Sequence, residues 1–289
     1  MVVSGGRRWG AIGAAAVAVA LGGCDSVGRV SRSPQVAVVE EDKTGTASIN
    51  IESLSDVVQR NPTDASAYNT RGAAYARAGR YGDAVADFNK ALQIDPNNAA
   101  AYTNRALAHR QTNKNDAALA DFSKAVASDP NYGPAYIGRA NLQRVQGNYD
   151  AALSDLTQAI RLTPESAEAL HARGLVYQRM DRHREAIIDF DAAIDRNAYV
   201  SAPYAARGQS LIATNQFDKA VEDYNAALNI NNRSAEFWAM RGLAYEKAGK
   251  RAEAVESYTR ATSIEQNNTV AKQGLGRLQG GVASLNPFR

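Results

Sequence analysis

The chain has 289 residues, 45% of them hydrophobic and 22% charged, which is enough apolar material for a sizeable core and too much for a wholly disordered chain. Its formal net charge of +3 includes Arg7 and Arg8 from an N-terminal stretch without acids; setting those two aside leaves 31 basic against 30 acidic residues, too balanced for the one-sided field that nucleic-acid binding needs. The single cysteine, Cys24, excludes an internal disulfide.

Residues 1–23 join a short basic start (Arg7, Arg8), an apolar run from Trp9 to Leu21 and small residues ahead of Cys24, the three parts of a secretory signal. The ending Leu21-Gly22-Gly23-Cys24 resembles the bacterial lipobox. That resemblance implies cleavage before Cys24 and acylation of the new N-terminal cysteine, tethering the chain to a membrane. The other readings are an ordinary secretory signal with an incidental cysteine, and an uncleaved membrane helix. The apolar run is shorter than the roughly 20 residues a spanning helix needs. Each buried methylene of an acyl chain contributes roughly 0.8 kcal/mol, so three chains hold where one binds marginally. Asp25 follows the cysteine; in lipoproteins of enteric bacteria an aspartate there marks retention in the inner membrane, a rule that does not extend to bacteria at large, so both membranes stay open. Residues 24–50 have no sustained period and read as the lipidated cysteine followed by a flexible linker.

Residues 51–62, IESLSDVVQRNP, place Leu54, Val57 and Pro62 where the following segment has Phe88, Ala91 and Pro96, so this is a lone second helix, a half repeat ahead of the array. From Ala65 to Pro96 the helical period gives two amphipathic segments, Ala65 to Ala78 and Tyr81 to Ile94, separated by Gly79-Arg80 and closed by Asp95-Pro96. This helical hairpin returns every 34 residues, most plainly at Arg71, Arg105, Arg139, Arg173, Arg207 and Arg241. A fixed period of that length means stacked units. The six units are 65–98, 99–132, 133–166, 167–200, 201–234 and 235–268, followed by a capping helix over 269–279 and a tail over 280–289.

Each unit repeats the same columns. A large residue opens the first helix (Tyr68, Tyr102, Tyr136, Leu170, Tyr204, Trp238), and a small one marks the crossing (Gly72, Ala106, Ala140, Gly174, Gly208, Gly242). Alanine holds the small slot of the second helix (Ala84, Ala118, Ala152, Ala186, Ala220, Ala254), with a large residue four positions on (Phe88, Phe122, Leu156, Phe190, Tyr224, Tyr258). Alternating sizes let knobs of one helix enter gaps of the next. On these columns the chain resembles the tetratricopeptide repeat family. The resemblance implies an all-α fold, a right-handed superhelix or α-solenoid of six helical hairpins with an N-terminal half repeat and a C-terminal capping helix.

The family pattern has leucine where this chain has the six arginines. Sixteen residues after the first five come Asp87, Asp121, Asp155, Asp189 and Asp223, with Ser257 breaking the series. The spacing predicts structural ion pairs Arg71–Asp87, Arg105–Asp121, Arg139–Asp155, Arg173–Asp189 and Arg207–Asp223, each arginine stem covering apolar surface and its head meeting the carboxylate. The alternative is an arginine ladder facing a ligand.

No nucleophile with a base, no phosphate-binding glycine loop and no cluster of metal ligands stands out: His109, His171 and His183 are far apart, and Gly79, Gly147 and Gly249 are isolated turn residues. The reading is therefore not an enzyme, with no catalytic residue, cofactor, metal, small-molecule substrate or nucleic acid. What remains is a surface. In the family the first helices line a concave groove, which the resemblance maps onto Asn69, Arg77, Thr103, Arg110, Ile137, Asn141, Arg144, His171 and Arg179. Basic residues near helix C-termini also favour the macrodipole without any ligand. The family's clamp for acidic chaperone C-termini uses lysines and asparagines that this chain lacks. The expected function is a lipid-anchored adaptor of the bacterial cell envelope, facing the periplasm, whose groove recruits envelope proteins through an extended or acidic segment and supports envelope integrity or cell-wall remodelling. The alternative is a structural subunit of an outer-membrane, pilus or secretion machine.

Overall fold

The structure, a computed structural model, describes the backbone of residues 46–283 and the side chains of residues 51–278. Among the described residues there are fourteen α-helices and no strand: α1 (Thr46–Arg60), α2 (Ala65–Arg77), α3 (Tyr81–Ile94), α4 (Ala99–Gln111), α5 (Asn115–Ser128), α6 (Gly133–Val145), α7 (Tyr149–Leu162), α8 (Ala167–Arg179), α9 (His183–Arg196), α10 (Ser201–Ala213), α11 (Phe217–Ile230), α12 (Ala235–Lys247), α13 (Arg251–Ile264) and α14 (Thr269–Ala283). The leader, Cys24 and the linker up to residue 45 lie outside the described residues.

Local chemistry sets the helix boundaries. Asp64, Asn98, Ser166 and Ser234 precede α2, α4, α8 and α12 and accept hydrogen bonds from the first-turn amides of Ser66, Ala101, Ala169 and Phe237, satisfying donors that a helix start leaves open. Within each hairpin one residue turns the chain in the left-handed region: Gly79, Asn113, Gly147, Asp181, Asn215 and Gly249, with φ between 56° and 83°. Glycine, asparagine and aspartate are the residues that tolerate this conformation, so the turn is one device spelled three ways.

The core is a stack of large side chains, each pressed into the small slots around it. Phe88, Phe122, Leu156, Phe190 and Tyr258 are fully buried and Tyr224 is 1% exposed. A methyl group at Gly72 would stand 2.7 Å from the Phe88 ring, and one at Gly174 would stand 2.5 Å from that of Phe190. The crossing glycines are therefore a packing requirement, since overfilling a dense core costs about 1–3 kcal/mol.

Neighbouring hairpins do not meet symmetrically. The backbones of the first helices approach each other in sequence (α2 with α4, α4 with α6, α6 with α8, α8 with α10, α10 with α12, and α12 with α14), whereas those of adjacent second helices stand further apart. First helices converge on the inner, concave side, second helices spread on the outside, and the array is an all-α superhelix.

Two boundaries differ from the sequence reading. The half-repeat helix, expected from residue 51, begins at Thr46 inside the stretch read as linker, and the capping helix, expected to end at 279, continues through Gly280 and Gly281 to Ala283. Glycine weakens a helix by about 1 kcal/mol per residue without forbidding it. No described helix is long and apolar enough to cross a membrane.

Candidate partner-binding groove

Two sets of arginines project from the first helices, and their surroundings separate them. The first set stands on one face as a ladder. In each of the first five hairpins the arginine grips the aspartate of the second helix with two nitrogens. Nε and Nη2 lie 2.7 and 2.8 Å from the carboxylate oxygens for Arg71–Asp87, 2.7 and 2.7 Å for Arg105–Asp121, and 2.7 and 2.8 Å for Arg139–Asp155. The same distances are 2.8 and 2.8 Å for Arg173–Asp189, and 2.9 and 2.5 Å for Arg207–Asp223. This forked geometry is the strong form of the ion pair. All five aspartates are buried.

The remaining nitrogen, Nη1, reaches back to the preceding hairpin: Arg71 donates to Ser55, Arg105 to Asn89, Arg139 to Ser123, Arg207 to Asp191 and Arg241 to Asn225. The ladder thus ties each hairpin internally and, at these rungs, to its neighbour. Hydrogen bonding to aspartate holds Arg71, Arg139, Arg173 and Arg207 above the usual guanidinium range. The sixth rung is different. Arg241 donates through Nε to the Ser257 hydroxyl at 3.1 Å and stacks over Trp238, 4.3 Å from the ring centre; burial without a carboxylate pushes it below the usual range. Beyond that rung, Arg277 of α14 clasps Glu246 with two bonds of 2.8 Å, and Tyr258 donates to the same carboxylate at 2.6 Å, so the cap is locked onto the last hairpin.

The second set is the one that the family resemblance maps onto the groove. Arg77, Arg110, Arg144 and Arg179 occupy the last turns of α2, α4, α6 and α8. Among the described residues none of the four has a carboxylate within 4.0 Å, in contrast to the first five ladder arginines. Arg144 lies within the fields of both Arg110 and Arg179; burial first, and then these cations, lower its pKa. Its Nε is buried without a hydrogen-bond partner. Burial lowers Arg110 as well, opposed by Glu168. The Glu168 side chain keeps an exposed surface, yet the surrounding helices crowd it enough to push its carboxyl above the ordinary range, with Arg110 pulling the other way.

The other mapped residues divide. Thr103 and Ile137 are buried, at 1% and 7% exposure, so these two do not form part of the accessible lining. They sit in the seam where successive first helices close on each other, and Ile137 packs with Tyr136, Ala140 and Leu156. Asn69 is half-buried and accepts from Asn104 Nδ2 at 3.0 Å, while Asn141 is half-buried on the same side. His171 has its ring 5.7 Å from that of Phe190, and burial together with Arg144 lowers its pKa to about 4, so it is a neutral imidazole at neutral pH.

The sequence reading set His183 aside as one of three scattered histidines and passed over Gln178; His183 opens α9. Both line a hollow together with Arg144 and Arg179. Gln178 Nε2 donates to the Ala206 carbonyl and the Ser210 hydroxyl, each at 2.8 Å, and the His183 ring meets the same hydroxyl at 3.4 Å. One buried serine of the next hairpin fixes both side chains, a relation that no spacing within one repeat reveals. Among the described residues no three or more His, Cys, Asp or Glu converge to hold a metal ion. The concave face can hold anionic and hydrogen-bonding groups of an extended ligand.

Profiles of the tetratricopeptide repeat match residues 65–98, 88–120, 167–199 and 235–268, and a further profile, described as TPR repeat, matches 140–181 and 208–249. The chain belongs to the tetratricopeptide repeat family. Tetratricopeptide arrays bind partner proteins or peptides. No curated protein matches this chain in sequence.

Three solved structures illustrate the fold. A chain of the APC/C hetero-tetramer Cut9–Hcn1 aligns with a TM-score of 0.70 at 20% identity, covering 81% of this chain and 47% of that one; this chain therefore spans about half the length of that relative. PilF of Pseudomonas aeruginosa aligns with a TM-score of 0.68 at 19% identity over 76% of this chain and 99% of that one. PilW, a widely conserved type IV pilus biogenesis factor, gives 0.67 at 15% identity over 73% and 98%. At these identities the tetratricopeptide likeness is one of fold.

Proposed function

We propose that this tetratricopeptide protein is a non-enzymatic adaptor, lipid-anchored through Cys24 in the bacterial cell envelope and facing the periplasm, whose concave face recruits envelope proteins by an extended or acidic segment. The observation that carries the reading is the division of arginines: those of the ladder are taken up by aspartates in five hairpins, while Arg77, Arg110, Arg144 and Arg179 in the last turns of the first helices have no carboxylate within 4.0 Å among the described residues. Unpaired cations in a concave, partly dehydrated surface attract a partner's acids and steer its approach. The anchoring part rests on the lipobox-like ending Leu21-Gly22-Gly23-Cys24. Tethering raises local concentration at the membrane without any new contact, and envelope integrity or cell-wall remodelling is the output we assign to such recruitment.

The test is a photo-crosslinking residue at Asn141 in living cells, with a matched one at exposed Lys90 on the outer helix α3. Capture of one envelope protein from position 141 and none from position 90 is the expected result; capture from the outer position alone rejects the groove. Replacing Cys24 by serine releases the protein from membranes if the anchor is a lipid.

A second reading, a strut in an outer-membrane, pilus or secretion assembly, is favoured by Ile188 and Tyr199, 65% and 89% exposed on the second helix and following junction of one hairpin, and by the fold likeness to PilW. Light scattering after size exclusion separates the two: the adaptor is a monomer after delipidation, and the strut self-associates.

A further inference from the structure

A half-open hollow of about 390 Å³ is lined by Arg144, Leu175, Gln178, Arg179, His183 and Gln209. It lies where three successive first helices, α6, α8 and α10, approach the start of α9. We propose that this hollow is the specificity pocket of the groove and takes the carboxylate of a single glutamate or aspartate side chain from an extended partner. The proposal deepens the adaptor reading and rests on it.

Three observations carry it. The first is register. Arg110 and Arg144 share one position of the repeat, which becomes Gln178, Ile212 and Glu246 further on; Arg77 and Arg179 share the next position, otherwise Gln111, Val145, Ala213 and Lys247. Only at the join of the third and fourth hairpins does an arginine at the first of these positions meet an arginine at the second one repeat later, and the hollow forms there. The second is the unmade bond: Arg144 Nε is buried with no partner, and Arg179 has no carboxylate within 4.0 Å among the described residues. Leaving a guanidinium donor dry and unpartnered is unfavourable, and a carboxylate accepting from two guanidinium groups would remove the defect. The third is that the neutral walls are already fixed. Gln178 spends both amide hydrogens on Ala206 and Ser210, the His183 ring is turned onto the same Ser210 hydroxyl, and Leu175 offers an apolar wall for the methylenes of an acidic side chain.

The surrounding acids do not fill the pocket. Exposed Asp181 sits 3.4 Å from His183 Nε2, on the side away from Ser210, and Glu168 acts on Arg110 rather than on Arg144. A hollow of this size admits a side chain with its ordered water, not a folded domain.

Fluorescence anisotropy with the full chain tests this, using a labelled, amidated peptide with glutamate at alternate positions, its glutamine analogue and its phosphoserine analogue. The glutamate peptide should bind at least about tenfold more tightly than the glutamine analogue. Arg144→Gln and Arg179→Gln should each weaken it about tenfold, the loss expected for one charge-assisted contact in a concave site, and Lys90→Gln should change it less than about twofold. Equal binding of the glutamine analogue, an equal loss from Lys90→Gln, or a clear preference for phosphoserine overturns the carboxylate pocket. If the pocket fails while position 141 still captures a protein in cells, the groove reading survives without it; if position 141 captures nothing, the groove itself is wrong.

Discussion

The ladder face and the concave face use the same residue type to opposite ends. On the ladder, Arg139 is fastened to Asp155 by two bonds of 2.7 and 2.8 Å and reaches Ser123 with a third nitrogen. On the concave side of the same helix, α6, Arg144 has a dry Nε without a partner and two other arginines in its field. One arginine is part of the fold, while the other is the one our proposal assigns to a partner. The difference teaches that residue type and sequence spacing alone do not separate a paired arginine from an unpaired one: Arg179 too has an aspartate sixteen positions on, Asp195, yet has no carboxylate within 4.0 Å among the described residues.

The comparison breaks most sharply at Arg139. Arg139→Ala strands a buried carboxylate and should cost about 3 kcal/mol in a urea melt, as for removal of one partner of a largely buried pair, while binding per folded molecule is unchanged. A loss of binding with no loss of stability would move this arginine into the groove class. The sixth rung sharpens the point, because Arg241 meets only the Ser257 hydroxyl and Asn225. Arg241→Ala leaves no charge stranded and should cost about 1 kcal/mol, so equal costs at the two rungs would deny the aspartates their role.

A smaller effect is set by pH. His171 has a folded pKa of about 4, below the ordinary histidine value of about 6.5. The native state then binds fewer protons than the unfolded chain between these values. The stability that goes with neutral His171 is complete above pH 6.5 and declines as pH falls towards 4. His171→Gln should flatten the melting-temperature curve across that window; an unchanged slope would mean the ring is protonated freely in the native state. Smallest of all is the effect of Arg144→Gln and Arg179→Gln on stability, expected to stay within about 0.5 kcal/mol, since no aspartate depends on either and their removal relieves repulsion between like charges.

Much of the fold was legible because the period repeats the same size alternation six times, and each column has one packing cause: Gly174 must be small because Phe190 lies against it. Boundaries were less legible. The helix beginning at Thr46 has no strong cap signal to announce it, and Gly280-Gly281 reads as a stop although the helix passes through. Two of the residues mapped onto the groove were misjudged as accessible. Thr103 and Ile137 have the right position within the repeat, but the closeness of successive first helices buries them, and that spacing belongs to the stack rather than to any one unit. The joint use of Ser210 by Gln178 and His183 crosses from one hairpin to the next, so only the assembled array reveals it.

The most direct measurement of the central claim, that the concave arginines serve a partner and the ladder arginines serve the fold, is the crosslinking yield from position 141 in living cells, normalised to folded protein, in two variant backgrounds. Arg139→Ala should keep the yield per folded molecule, and the double variant Arg144→Gln/Arg179→Gln should lose most of it while melting as the parent does. The reverse pattern, with capture lost on Arg139→Ala and kept in the double variant, would contradict the account.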